Sequence, residues 1–248
     1  MRIYENPEKT SRNRMAPRSF YLPSGEAQYL SLNGTWRFRY FEKDYEAGGE
    51  ISSWESIPVP SCWQLHGYGN INYTNINYPF PCDPPYVPDE NPCGIYERDF
   101  MLDSVWGRVY FVLEGVASCA FVWVNGQEIG FTQGSHLQAE FDITKAVCAG
   151  RNVLRVKVLK WCCGSYLEDQ DCFRFNGIFR DCYLLQRPAG HVGDITIRTD
   201  EDSIFVETDR EAEVTLFFGE RMLRRERDVR RVRFSVPEPV LWNAEKPH

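Results

Sequence analysis

In the run SYLEDQD, residues 165–171, the carboxylates Glu168, Asp169 and Asp171 fall within four positions. The ten residues that follow, CFRFNGIFRD, add Arg174 and Arg180 and three phenylalanines. Clustered carboxylates hold hard cations such as Na⁺ or Ca²⁺, which take several oxygen ligands. They also accept hydrogen bonds from sugar hydroxyls while aromatic faces cover the C–H surface of a ring. The ordinary use of the same residues is a solvated turn whose acids pair with Arg174 and Arg180. A second polar-aromatic cluster, NYTNINYP, carries Asn72, Tyr73, Asn75, Asn77 and Tyr78. Asn offers a donor and an acceptor together, as a sugar ligand needs. Asn beside Pro79 also builds turns for purely local reasons.

Neither cluster supplies bond cleavage. Glycoside hydrolysis needs a general acid and a nucleophile or base at fixed separation, and no convincing pair stands in this chain. There is no G-x-S-x-G elbow, and the four histidines have no companion pattern. His66, in WQLHGYG, reads as a hydrogen-bonded packing residue among aromatics. No glycine-rich phosphate loop follows a strand, which argues against a nucleotide ligand. The net charge of −7 argues against nucleic acid or an anionic membrane surface. The basic run RMLRRERDVRRVR is interleaved with acids and reads as a solvated strand face. No stretch reaches the roughly 18 apolar residues of a membrane span, and the polar N-terminus has no signal-like apolar core. The nine cysteines are odd in number and lack C-x-x-C spacing, so reduced thiols in a cytoplasm are expected. Cys62, Cys119 and Cys148 lie in apolar surroundings, where a thiol behaves as a small hydrophobe.

The elements that must position these residues are strands. Short runs rich in Val, Ile, Phe, Tyr and Trp alternate with Gly, Pro, Asn and Asp, the pattern of an all-β sandwich. GTWRFRYF sets Trp36, Phe38 and Tyr40 against Arg37 and Arg39, a strand with one buried face. In CAFVWVNGQEIGFTQG, Asn125-Gly126 between apolar runs predicts a two-residue hairpin, because both turn positions require positive φ. RVYFVLEGV, NVLRVKVLKW and FRDCYLLQRP bring the set to at least seven strands. The stretch PVPSCWQLHGYGNINYTNINYPFPCDPPYVPDENPCG holds eight prolines, which deny a ladder its donors, so a long ordered loop is expected. Loops of that length in a compact domain usually carry function or an interface. Beyond about Gln186–Gly190, four shorter strands at ten-residue intervals are expected, too few for a complete immunoglobulin sandwich.

The proline-rich stretch, GSYLEDQDCFRFNGIFRDCYLL and SLNGTWRFRY together resemble the N-terminal region of the large bacterial β-galactosidases of glycoside hydrolase family 2. YENPEKTSRNRMAPRS resembles the N-terminal arm of that family. The likeness is strongest over residues 1–188 and continues more weakly to VPEPVLWNAEKPH. It implies an all-β chain: an extended arm at 1–20, a jelly-roll, galactose-binding-like sandwich at 21–188, and an incomplete immunoglobulin-like sandwich at 189–248. It also implies that the catalytic (β/α)₈ barrel, with the two glutamates of a retaining mechanism, lies outside this chain. The expected whole is a hydrolase of terminal β-D-galactosides such as lactose, cytoplasmic and homo-oligomeric. The 248 residues alone are expected to be an inactive fragment with no catalytic residue.

By the same resemblance Asn75 and Asp171 contact the substrate sugar, and Asp171 also ligates Na⁺, while the ligands of an Mg²⁺ ion lie outside the chain. Glu168 and Asp169 fall to loop structure, and Arg174, Arg180 and Asp181 to supporting ion pairs. CFRFNG replaces a bulkier Met-Trp, and Cys162-Cys163 replaces a small polar pair, which are departures from the family pattern. The readings from other classes are a free-standing carbohydrate-binding module and an oligomer-interface piece. Another family-2 specificity, such as β-glucuronidase, stands behind them.

Overall fold

A computed structural model describes residues 1–18, 22, 25–74, 77–168, 171–236, 238–245 and 247. The chain is all-β and divides into two compact units, Met1–Pro17 with Ser24–Ala189, and Arg18–Pro23 with Gly190–His248. In the first unit the strands are β1 (Ser11–Arg12), β2 (Gln28–Ser31), β3 (Gly34–Phe41), β4 (Glu55–Val59) and β5 (Asn72–Thr74). They continue as β6 (Cys93–Leu102), β7 (Arg108–Leu113), β8 (Val116–Ala117), β9 (Cys119–Val124) and β10 (Gln127–Gln133). The last are β11 (Ala139–Asp142), β12 (Gly150–Leu159), β13 (Cys172–Arg174), β14 (Gly177–Ile178) and β15 (Cys182–Arg187).

Seven strands form one sheet in the order β1-β10-β9-β12-β6-β3-β4, and four form another in the order β11-β7-β15-β2. This is the jelly-roll sandwich. Alternation decides its core, since successive side chains on a strand point to opposite faces. Along β12, Leu154, Val156 and Val158 turn inward, while Val153, Arg155 and Lys157 turn out. The inward residues meet Trp36 and Phe38 from β3, Val122 and Val124 from β9, and Phe111, Phe141 and Leu184 from the facing sheet. Pro58 is tolerated because β4 is an edge strand, with no further neighbour to serve.

The Asn125-Gly126 hairpin forms as its residues predict, with φ of 51° and 81°. Gly130 serves a different need: a Cβ there would lie 2.3 Å from the Arg12 carbonyl oxygen. The missing side chain lets β1 pair with β10, so the N-terminal segment adds an edge to the large sheet.

The second unit is built on strands as well. Its antiparallel sheet contains β16 (Ile195–Thr199), β17 (Ser203–Phe218) and β18 (Arg221–Ser235). Four short strands were expected here, and three form among the described residues. SIFVETD and EAEVTLFFG join into one 16-residue strand, because the polar residues between them make a register shift at Glu207/Ala212 instead of a turn. The basic run lies on β18 with its arginines exposed, as expected, and Arg225 and Arg227 pair with Glu213, Arg231 with Glu207. Among the described residues, no helix is long and apolar enough to cross a membrane.

Candidate functional site

The two polar-aromatic clusters, nearly a hundred residues apart in sequence, are brought together by a small antiparallel pair. Strand β5 of the NYTN segment pairs with β13 of the CFRF segment, with Thr74 opposite Cys172, Tyr73 opposite Phe173 and Asn72 opposite Arg174. The rings of Tyr73 and Phe173 sit 5.4 Å apart. Asp171, the residue before β13, is exposed and has a φ of 27°, in the left-handed region that Asp tolerates better than most residues. Its carboxylate accepts a hydrogen bond from the Tyr73 hydroxyl. That bond raises the Tyr73 phenol above its ordinary value, because the adjacent carboxylate disfavours a second negative charge. Asn75, one residue past Thr74, lies outside the described residues, as does Asp169.

Several residues that sequence patterns did not single out hold this pair in place. Lys160 is buried and donates to the Asn72 side chain at 2.9 Å and the Asn70 carbonyl at 3.3 Å. Burial lowers its pKa, the direction expected for an ammonium taken out of water. Asn176 ties the WQLH turn to the FRFNG segment. Gln64 donates to its side chain at 2.8 Å, and the Asn176 N–H donates back to Gln64 at 3.0 Å. Its own amide reaches the Lys160 carbonyl at 3.1 Å. These bonds pair polar groups that would otherwise be buried unsatisfied. An apolar run ending in Lys160 was the available signal, since a lysine at the buried end of a strand needs partners.

The proline-rich stretch is largely irregular, as expected, but it holds β5 and a 3-10 turn over Trp63–His66. It is fastened to the 160–168 segment by side chains that imitate a ladder. Asn91 donates to the Trp161 carbonyl at 2.8 Å and accepts from the Trp161 N–H at 3.0 Å. Tyr166 donates to the Tyr86 carbonyl at 2.6 Å, and Tyr78 donates to the Tyr166 carbonyl at 2.9 Å. Phe80 packs edge-on against both Trp161 and Tyr166.

Other expectations are corrected. His66 is exposed rather than packed, because its 3-10 turn sends Trp63 and Gln64 inward and Leu65 and His66 out. Cys148 is exposed, with its thiol 3.8 Å from the Arg151 carbonyl. Arg180 and Asp181 bond to neutral groups, the His136 carbonyl at 3.1 Å and the Asn33 amide at 2.9 Å. Arg174 keeps a supporting place, since it is buried and the Ser165 carbonyl at 2.8 Å is one of its partners. Glu168 accepts from the Ser135 N–H at 2.7 Å and the Ser135 hydroxyl at 2.6 Å, so its carboxylate pins one loop to another. A cleft of about 250 Å³ adjoins the pair, lined by Ser135, His136, Glu168, Phe173 and Asn176 among others.

All nine cysteines are free. Burial pushes the Cys93 and Cys182 thiols up to about 12, which leaves them protonated and unreactive at neutral pH. Among the described residues, no three His, Cys, Asp or Glu side chains gather closely enough to hold a metal ion. Among its described residues the site presents the exposed Asp171 carboxylate, a phenol and aromatic edges. That set can orient hydroxyl groups and cannot by itself break a glycosidic bond.

The chain is similar to proteins of one kind along most of its length. A β-galactosidase of Actinobacillus pleuropneumoniae is 38% identical over 98% of this chain and 27% of its own length. One of Yersinia pestis bv. Antiqua (strain Angola) is 42% identical over 80% of this chain and 21% of its own. The chain thus spans about a quarter of the length of these curated relatives. Among solved structures, a Faecalibacterium prausnitzii β-glucuronidase superimposes with a TM-score of 0.67 at 17% identity, over 90% of this chain and 43% of that one. An uncultured Clostridium sp. β-glucuronidase gives 0.63 at 21%, over 91% and 42%. At such identities the superpositions establish the fold alone. Residues 29–188, which include β5, Asp171 and β13, match the model of the glycosyl hydrolases family 2 sugar binding domain, and the chain belongs to that family.

Proposed function

We propose that this chain serves β-galactosidase action, as the N-terminal, non-catalytic part of an enzyme that hydrolyses terminal β-D-galactosides such as lactose with retention. The observation that carries the proposal is the 38–42% identity to β-galactosidases over 80–98% of the chain. The solved β-glucuronidases are only 16–21% identical and do not compete with it on specificity. In this reading the chain forms one wall of the galactose pocket. Asp171 and Asn75 accept and donate hydrogen bonds to sugar hydroxyls, and Tyr73 holds the Asp171 carboxylate in position. The acid and nucleophile carboxylates come from a barrel beyond these residues.

The family also implies a sodium ion at Asp171. An exposed carboxylate is a suitable ligand for a hard cation, which takes several oxygens. The ion's remaining oxygens would come from backbone carbonyls, other side chains or water, the usual ligands of a hard cation. Any Mg²⁺ belongs to ligands elsewhere. Nine free thiols suit a cytoplasmic location, and the active form is proposed to be a homo-oligomer.

The test uses the protein from the complete reading frame, assayed with nitrophenyl β-D-galactoside and β-D-glucuronide, beside its Asp171→Ala variant. Galactoside turnover at least about a hundredfold weaker in the variant is expected, the scale on which a misplaced substrate costs rate. Preference for the glucuronide, or an Asp171→Ala enzyme of unchanged kcat/KM, would overturn the proposal. The 248-residue chain alone should show no turnover.

A further inference from the structure

A second concavity of the first unit lies away from Asp171. A groove of about 730 Å³ runs over the outer face of the seven-stranded sheet, rimmed by Tyr4 and by the turn that follows Asp44. That volume falls within the range of small-molecule sites. Strand register dictates its floor. Trp123 on β9 lies opposite Arg155 on β12, which lies opposite Glu97 on β6, which lies opposite Arg37 on β3. Two residues along, Phe121 lies opposite Lys157 and Lys157 opposite Ile95. Directly opposed side chains on one face are neighbours, so the floor is an aromatic end beside a row of alternating charge.

Each part is held in place. The rings of Phe121 and Trp123 stack at 6.1 Å with 29° between their planes, and both remain partly exposed. Glu97 accepts from Arg37 at 3.0 Å and from Arg155 at 2.6 Å, which leaves its side chain only 12% exposed. Arg12 pairs with Glu128 at the rim. The Tyr4 hydroxyl donates to Asp44 at 3.2 Å.

The chemistry selects the ligand class. The lining cations Arg12, Arg155 and Lys157 are matched in number by Asp44, Glu97 and Glu128, so the groove offers no net field to an anion or a cation. It offers instead an apolar ring surface beside fixed, planar donors and acceptors. That combination fits a neutral polyhydroxyl ligand with one C–H face and several hydroxyl edges. Arginine and carboxylate groups already locked by one another lose little freedom on binding, which favours recognition over mere contact.

We infer that this face is a second carbohydrate-binding site, separate from Asp171, that takes a neutral β-linked hexose oligosaccharide against Trp123 and Phe121. It does not rest on the galactosidase reading, because it is tested on the free chain by binding and not by turnover. The 248-residue chain is titrated with β-1,4-galactotriose and with cellotriose, by calorimetry and by ¹H–¹⁵N NMR.

Saturable binding of at least one of them is expected, with the Trp123 indole and Arg155 resonances shifting and those of Tyr73 and Asp171 unmoved. Trp123→Ala should weaken binding about tenfold or more, as loss of a central aromatic contact does. Arg155 is exposed, so Arg155→Ala supplies a variant that keeps the fold, and it should weaken binding as well. No saturable binding of either sugar would overturn the inference. So would shifts confined to Tyr73 and Asp171, or affinity that survives both substitutions. Self-association in sedimentation that Arg155→Ala abolishes, without sugar binding, would make this face a contact between copies and would also overturn it.

Discussion

Asp171 and Tyr73 form a unit whose chemistry can be read without substrate. The phenol is raised because it donates to a carboxylate whose charge disfavours the phenolate. Replacing Asp171 by Asn removes the charge, so the Tyr73 phenol should titrate lower, toward the ordinary value near about 10. Ultraviolet or NMR titration of Asp171→Asn against the parent checks this, and an unchanged Tyr73 would mean that the contact does not form in solution. A second residue-scale effect belongs to Asp99. The Arg37 hydrogen bond holds its carboxyl below the usual range, with Arg151 helping. Its contribution is therefore present above the unfolded value near about 4 and is lost as pH falls through the lower folded value. Arg37→Met should be less stable than the parent at neutral pH by under about 1 kcal/mol, the exposed-pair scale. The difference should vanish in acid, and thermal melts from neutral pH down to about pH 2 read it directly.

Elements are held by residues that do several jobs in one place. Asn125 supplies the positive φ of the β9–β10 hairpin, but its side chain also donates to the Ala146 carbonyl and Asn152, both at 2.8 Å. Its oxygen accepts from the Val153 N–H at 2.9 Å. Asn125→Gly keeps the turn conformation and loses these bonds, so a loss of about 1–2 kcal/mol is expected by denaturant titration. A near-neutral outcome would assign the residue to turn geometry alone. At Gly130 the constraint is space. Gly130→Ala should displace the N-terminal segment from the sheet edge, seen as faster hydrogen exchange at Ser11 and Arg12.

The two units differ in how much they bury. The first has a continuous core of aromatic and branched side chains between its sheets. In the second, Val206 and Phe234 are the buried apolar residues among those described, while Ile197, Phe217, Phe218 and Met222 are exposed. Burial is the main source of stability, at about 25 cal/mol per Å² of apolar area. The second unit should therefore open more readily, and amide exchange in β16–β18 should outpace that in β6, β9 and β12. Equal protection would show that the exposed apolar face is covered in solution.

Much of this was legible in the sequence. Alternation in GTWRFRYF, the Asn125-Gly126 turn and the proline-rich loop each reflect a local rule of backbone sterics or side-chain period, and each formed as read. The long motifs carried the family, because ordered stretches of unusual residues seldom recur by chance. Local rules failed where neighbours decide. A polar gap that reads as a turn became a bulge at Glu207/Ala212, since the partner strand ran on beside it. His66 turned outward because only one side of a short 3-10 turn can face a core. No spacing brings Tyr73 to Asp171 or aligns Trp123, Arg155 and Glu97 in a row. Those juxtapositions come from strand register, which pairs residues far apart in the chain, and only the tertiary structure sets it.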